Sequence, residues 1–269
     1  MRSGQDEGFD DGFDPPAQAA AARTLAELDE AVTHCRACPR LTAWREEVAV
    51  VKRRAFLDWD YWGRPVPGFG PPDAAISVVG LAPAAHGGNR TGRAFTGDAA
   101  GDFLYAAMHA VGLASQPTAT RRGDGLELRG VRISMPVHCA PPENKPTPGE
   151  RDTCRPWLVR ELELLRPTLR VIIVLGAFAW DALLPNLAHA DWAIPRPRPK
   201  FGHGKHVALQ TASSIAQVPA AESDPQPELH LLGCYHPSQR NTFTGTLTPT
   251  MLGTVLKEAA QLAGLDVGA

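Results

Sequence analysis

From residue 75 onward, short apolar runs alternate with stretches whose apolar positions recur at helical spacing. The strand candidates are AISVVG (75–80), VRISM (131–135), RVIIVL (170–175), VALQT (207–211) and LHLLGC (229–234). Between them, Phe103, Leu104, Ala107, Met108 and Val111 predict a helix over 99–113. Trp157, Leu158, Leu162 and Leu165 predict another over 150–165, closed by Pro167. A third runs from Ala177 through Leu184 and the last covers 247–263. This alternation restricts the chain to an α/β domain on a parallel sheet. Function is then expected in the loops leaving the carboxyl ends of the strands.

Upstream, helices are expected over 21–33 and 41–54. The segment 55–73 carries Phe56, Trp59, Tyr61, Trp62 and Phe69 among four prolines. It suits a lid packed on a core, a binding surface, or both, and packing is the preferred expectation.

Composition narrows the function classes. With 43% hydrophobic and 21% charged residues, wholesale disorder is excluded. The 25 glycines and 25 prolines follow no period of three, so they mark shaped loops rather than collagen. The net charge of −2 hides an asymmetry: residues 1–30 hold eight acids and two bases, leaving 25 bases against 21 acids in the rest. A mildly basic body tolerates nucleic acid. The acidic stretch 1–20 is expected to be a disordered tail, and 21–269 a single domain. No apolar run reaches the roughly 20 residues of a bilayer span and the N-terminus does not read as a signal peptide. A cytoplasmic protein without a membrane partner is expected.

Four of the five cysteines fall into pairs, Cys35 with Cys38 and Cys139 with Cys154. The first pair is C-x2-C, which turns two thiolates toward one ion, and a distant second pair can close a tetrahedral site. Spacing leaves zinc, an iron–sulfur cluster, a redox dithiol and unrelated buried thiols all open. Cys234, in a strand candidate, reads as a buried thiol.

Three strand-following loops hold the chemistry-bearing residues. GLAPAAHGGNRTGRAFTGD (80–98) has neither G-x-G-x-x-G nor G-K-[ST], which disfavours a dinucleotide fold and removes the P-loop. It offers small residues for a flat ligand, Phe95, and Asp98, which also suits an N-cap. HCAPPENKPTPGE (138–150) holds Asn144 and Lys145, and CYHPSQRNTFTG (234–245) holds His236, Ser238, Arg240 and Asn241. Asn144 and His236 each equally suit a turn. Together an acid, an amide, an imidazole and an aromatic ring suit hydrolysis of a base–sugar bond. Phe95 would stack the base and Asn144 read an amide edge. His236 would steady the departing base, and Asp98 would orient water and balance the sugar cation. PRPRPKFGHGKH (195–206), with Arg196, Arg198, Lys200 and no acid, reads as a proline-stiffened connection or as a rigid loop against phosphates.

The motifs GLAPAAHG from Gly80, RTGRAFTGD ending at Asp98, PENKPTPGE ending at Glu150 and HPSQRNTFTG from His236, together with the four cysteines, resemble the uracil-DNA glycosylase superfamily, most closely its family 5. The resemblance covers about residues 25–260 and implies a three-layer α/β/α sandwich around a short central parallel sheet. It implies a monomeric, monofunctional DNA repair glycosylase that flips out uracil and other deaminated bases and leaves an abasic site. Its substrate would be double-stranded DNA and, as a further expectation, single-stranded DNA. Asp98, Asn144 and His236 resemble the catalytic set, with Gly80, Leu81, Ala82, Ala84 and Phe95 around the base. Arg196, Arg198, Lys200, Ser238, Arg240 and Asn241 are the expected DNA contacts. Cys35, Cys38, Cys139 and Cys154 match the ligands of a [4Fe–4S] cluster that clips the Cys35/Cys38 segment to the core. Leu81 stands where family 4 carries Glu, which moves the catalytic burden onto Asp98, and the apolar Leu81/Ala82/Ala84 wall imposes few hydrogen-bond tests on the base.

Overall fold

The computed structural model describes residues 13–212 and 228–266. Five strands form one sheet in the order β2-β1-β3-β5-β4: β1 is Ile76–Val79, β2 Val131–Ser134, β3 Val171–Leu175, β4 His206–Leu209 and β5 Leu229–Cys234. β1 runs parallel to β2, with Ile76 opposite Val131, and to β3, with Ile76 opposite Val171. β3 runs parallel to β5, with Val171 opposite His230.

Side chains of β3 alternate between two cores: Ile172 and Val174 enter one, and Val171, Ile173 and Leu175 enter the other. A strand covered on both faces has to be apolar at every position, which is why VIIVL reads without a break. The first core is closed by α2 (Leu25–Thr33), α6 (Pro148–Leu165) and α7 (Ala177–His189), through Leu28, Trp157, Leu162 and Leu183. The second is closed by α5 (Ala99–Ala110) and α9 (Pro249–Leu262), through Leu104, Met108, Leu252 and Leu256. The expected three-layer α/β/α sandwich is the observed architecture.

The sheet is not wholly parallel. β4 pairs antiparallel with β5, with His206 opposite Leu232. It is an edge strand with His206 and Ala208 exposed, so it escapes the two-sided burial that parallel strands demand. Helix limits shift as well. α3 (Pro39–Val51) begins at a proline, where the missing N–H has no intrahelical partner to lose. α7 continues past Leu184 to His189.

The disordered tail expected over 1–20 is corrected at its inner end. Pro15–Ala21 forms α1, which buries Pro15 and Ala19 and packs on α6, and the Phe13 ring lies 6.3 Å from that of Trp157. Residues 1–12 lie outside the described residues. The same N-terminal region is tied down again at Asp29 on α2, which accepts from Arg132 of β2 at 2.6 Å and from the Gly68 N–H at 3.1 Å. Arg132 also pairs with Glu161 of α6. Burial holds the Asp29 carboxyl up at about 6 despite the guanidinium beside it. Among the described residues no helix is long and apolar enough to cross a membrane.

Candidate active site

The loops after β1, β2, β3 and β5 open at one end of the sheet. The chain order reverses between β1 and β3, which is where an open α/β sheet leaves a crevice. Asp98 is the N-cap of α5, and its Oδ1 accepts from the Gly101 N–H at 2.9 Å. The expected cap is therefore real, but it uses one carboxylate oxygen. Oδ2 lies against Gly87: a Cβ built there would fall 2.1 Å from it. Only glycine lets the backbone come that close.

Phe95, in the same loop, is half-buried and held at φ +49. A bulky residue in the left-handed region costs about 1–3 kcal/mol, and the surroundings hold it there. The neighbouring Ala94 carbonyl accepts from the buried Tyr105 hydroxyl at 2.9 Å. The Phe95 ring rests on Gly80, where a Cβ would come within 2.8 Å of two ring carbons. His236, just beyond β5, places its ring 5.9 Å from that of Phe95 at a tilt of 36°. Burial pushes the His236 imidazole below its ordinary value, and the Asp98 charge opposes that shift. Asp98, Phe95, Gly80 and His236 thus converge. Ala84 supports the loop from below, its carbonyl accepting from Gly87 and Asn89 at 3.2 and 3.0 Å. Leu81 and Ala82 are half-buried against the first core.

Asn144 lies in the loop after β2, at the same end of the sheet, and makes no contact with Asp98, Phe95 or His236 among those that join the three. It ends the turn Pro142–Asn144 at φ +56, a conformation asparagine tolerates, and shares a cleft with Leu81, Lys145, Pro146, Arg151 and Phe178. It stands exposed, so its amide is open to a ligand.

The expected DNA contacts divide. Ser238 caps α8 (Gln239–Phe243) by accepting from the Asn241 N–H at 3.5 Å. The Asn241 amide donates to the His236 carbonyl at 2.8 Å, so it shapes the turn that presents the imidazole. Arg196, Lys200 and Arg240 are exposed. Arg198 is already engaged, donating to the Asp181 carbonyl at 2.8 Å. Their loop borders the site: the His203 ring stacks on that of Tyr235 at 4.9 Å, next to His236.

Arg90, the first residue of RTGRAFTGD, has a role that the sequence alone does not show. It donates to the carbonyls of His86 at 2.7 Å and Gly97 at 2.6 Å, bracing the loop immediately before Asp98. Phe56 and Trp59 cover its guanidinium at 3.9 and 4.0 Å. The aromatic segment is thus a packed lid, and its cargo is an arginine.

None of the five cysteines is in a disulfide. Cys35, Cys38, Cys139 and Cys154 line one cavity with Arg45, His138 and Trp157. Arg45 is buried and donates to Cys139 Sγ at 2.9 Å, and the His138 N–H points at Cys154 Sγ at 3.5 Å. Burial and mutual repulsion of their charged forms push Cys38 up to about 12, and burial pushes Cys139 up to about 11. Four desolvated sulfurs around one cavity, two of them receiving N–H groups, fit a cationic metal group that accepts thiolates. Among the described residues no three His, Cys, Asp or Glu side chains are disposed to share a single ion. Four sulfurs lining one cavity are a donor set that a zinc ion or an iron–sulfur cluster takes. Cys234 lies fully buried in the other core, as expected of the odd thiol.

A model of the uracil DNA glycosylase superfamily matches residues 67–260. The type-5 uracil-DNA glycosylase of Mycobacterium tuberculosis (strain CDC 1551 / Oshkosh) is 51% identical over 248 residues, covering 92% of this chain and 85% of that one. The type-5 enzyme of Thermus thermophilus is 49% identical over 236 residues, covering 88% and 97%. A type-4 enzyme of Pyrobaculum aerophilum is 30% identical over 198 residues, covering 73% and 83%. With a family model spanning the whole sheet domain and about half of all positions shared with type-5 relatives over most of their length, this chain belongs to the uracil-DNA glycosylase superfamily, with its type-5 members.

Proposed function

We propose that the chain is a monofunctional DNA repair glycosylase that hydrolyses the bond between uracil and deoxyribose and leaves an abasic site. The observation that carries this is the convergence of Asp98, Phe95 and His236 at the crevice between β1 and β3. The flipped base stacks on the Phe95 ring, while the exposed Asn144 amide reads its edge. Asp98, with Oδ1 fixed by its cap, turns Oδ2 to the water and to the positive charge that grows on the sugar. His236, kept neutral by burial, donates an N–H to the oxygen of the departing base. The Leu81, Ala82 and Ala84 wall makes few hydrogen-bond demands, which supports acceptance of other deaminated bases, hypoxanthine among them.

A lyase needs an amine nucleophile. Lys145 stands exposed with its Nζ 3.3 Å from Glu143, which supports a phosphate-facing role rather than a covalent one. The proposed partner is DNA, duplex and single-stranded, bound by a monomer in the cytoplasm. Cys35, Cys38, Cys139 and Cys154 hold a [4Fe–4S] cluster in this reading, and the group supplies cross-linking of distant chain segments rather than chemistry at the bond.

The test is single-turnover cleavage of oligonucleotides carrying uracil, hypoxanthine or xanthine, run beside borohydride trapping. Release of uracil with no trapped adduct is the expected result. An adduct through Lys145, or no base released from any substrate, overturns the proposal.

A further inference from the structure

Phe178 is the second residue of α7, directly after β3, and 73% of its surface is exposed. An unburied phenyl ring forgoes about 2 kcal/mol of burial, so its place at the crevice asks for an occupant. It shares a cleft with Leu81, the first residue past Gly80. Asn144, Lys145, Pro146 and Arg151 also line the cleft. Arg151 is half-buried, and its guanidinium makes no hydrogen bond or ion pair among the described residues. Among the described residues the Lys145 ammonium pairs only with the exposed Glu143 carboxylate.

A flat apolar face flanked by two cations is what a nucleotide needs: the base stacks and the phosphate is matched in charge. The excised base does not require this face, because Phe95 already provides one between Gly80 and His236. The cleft adjoins that site through Leu81, which follows Gly80 in the chain, so a strand whose flipped base lies on Phe95 can reach it with its next nucleotide.

We infer that Phe178, with Arg151 and Lys145, seats the nucleotide next to the excised one on the same DNA strand. The neighbour's base lies on the Phe178 ring and its phosphate faces Arg151. A base on this ring is unpaired and unstacked from its duplex partner, so the seat favours single-stranded DNA. The inference rests on the glycosylase reading above and adds a specificity element to it.

The experiment measures half-saturation of single-turnover uracil release by the full-length protein. The substrates are single strands with thymidine or an abasic spacer on either side of the uracil. With the wild type, a spacer on one flank raises half-saturation about tenfold and a spacer on the other leaves it unmoved. Phe178→Ala raises it about tenfold with the natural flank and adds nothing when that flank is already a spacer, and Phe178→Tyr restores the wild-type pattern. Arg151→Gln weakens both substrates alike, since the spacer keeps its phosphate. Independent, multiplying effects of ring and spacer overturn the seat, as does wild-type behaviour from Phe178→Ala. Release from duplex but not from single strands also overturns it, because the neighbour is then never unpaired. If no substrate releases uracil, it is the glycosylase reading that fails.

Discussion

The cysteine cavity and the catalytic crevice are neighbours with opposite construction. The cavity gathers residues more than a hundred positions apart in sequence, and Cys35, Cys139, Cys154 and Arg45 are all buried around it. The crevice is made of loops that follow consecutive strands, and Asn144, Lys145 and Phe178 stand open to solvent. Around the cavity Thr42 Oγ1, Arg45 Nε, His138 Nε2 and Trp157 Nε1 are buried without a hydrogen-bond partner among the described residues, shut away from water. The crevice leaves Arg151 and the Asn144 amide without partners, as a surface awaiting a ligand does. Yet a short path joins them. The side chain of Arg45 donates to Cys139 Sγ and to the Cys35 carbonyl, while its own carbonyl accepts from Asn89 at 3.1 Å. Asn89 adjoins Arg90, which braces Gly97 beside Asp98. The buried region therefore sets the frame on which the open loop is held.

The largest effect should come from breaking the frame. Cys139→Ser removes one sulfur from the cavity and leaves the Arg45 guanidinium facing a shorter hydroxyl. If the cavity holds a metal group, the loss approaches the whole stability of such a domain, about 5–15 kcal/mol. Cys234→Ser, an equally buried thiol in the second core, should cost only about 1–3 kcal/mol for the unpaired hydroxyl and leave an active enzyme. Thermal unfolding and iron content of both variants, prepared anaerobically, check the contrast. Equal melting losses would mean the cavity is ordinary core, and zinc without iron would replace the cluster.

The second effect is confined to the crevice. Asparagine caps a helix as well as aspartate does, so Asp98→Asn should keep α5 and the melting midpoint while losing the charge. Single-turnover uracil release should fall by about 10²–10⁴, the usual worth of a positioned acid–base group. A full rate would remove Asp98 from the mechanism. A lowered midpoint with an unchanged rate would leave it only the capping role.

Much of this architecture was legible because burial imposes periodicity. VIIVL announced a strand covered on both faces, and the loops after the strands announced where chemistry gathers. The cysteine spacing left several groups open, and only the cavity brought the four sulfurs together. What escaped the sequence were features set by tertiary contact. The Ala-rich stretch of α1 has no amphipathic signature, and it is helical because α6 receives it. β4 takes its direction from the open edge of β5. Arg90 and Phe178 were silent because an arginine under aromatic rings and an exposed phenylalanine look like ordinary residues until their neighbours are in place.

A third and smaller effect separates burial from charge inside the crevice. Because burial disfavours the His236 imidazolium, the ring should stay neutral to a lower pH than a free imidazole does. On acidification the imidazolium that finally forms pairs with Asp98 and draws it from the water, so the rate falls. The same shift means that folding stability from this group is present above pH 6.5 and is lost as pH drops through the folded value. A pH–rate profile should show an acid limb below 6.5 that disappears in His236→Asn, with that variant about tenfold slower at neutral pH. A limb that persists in the variant would assign it to another group.

The smallest effect belongs to the basic loop, where the contrast between engaged and open groups recurs within six residues. Arg196 and Lys200 are exposed, while Arg198 is bonded to the Asp181 carbonyl and lies 3.8 Å from its carboxylate. Each phosphate contact contributes about 0.9 to the logarithmic salt slope on duplex DNA. Neutralising all three should therefore lower the slope by the worth of about two contacts rather than three, and Arg198→Gln alone should barely move it. Binding to damaged and undamaged DNA should weaken by the same factor, because phosphates carry no sequence information. Titrations of both DNAs across a range of salt concentrations check this. A loss confined to damaged DNA would move the loop from backbone contact to base recognition. A slope reduced by three contacts would show that DNA pulls Arg198 away from Asp181.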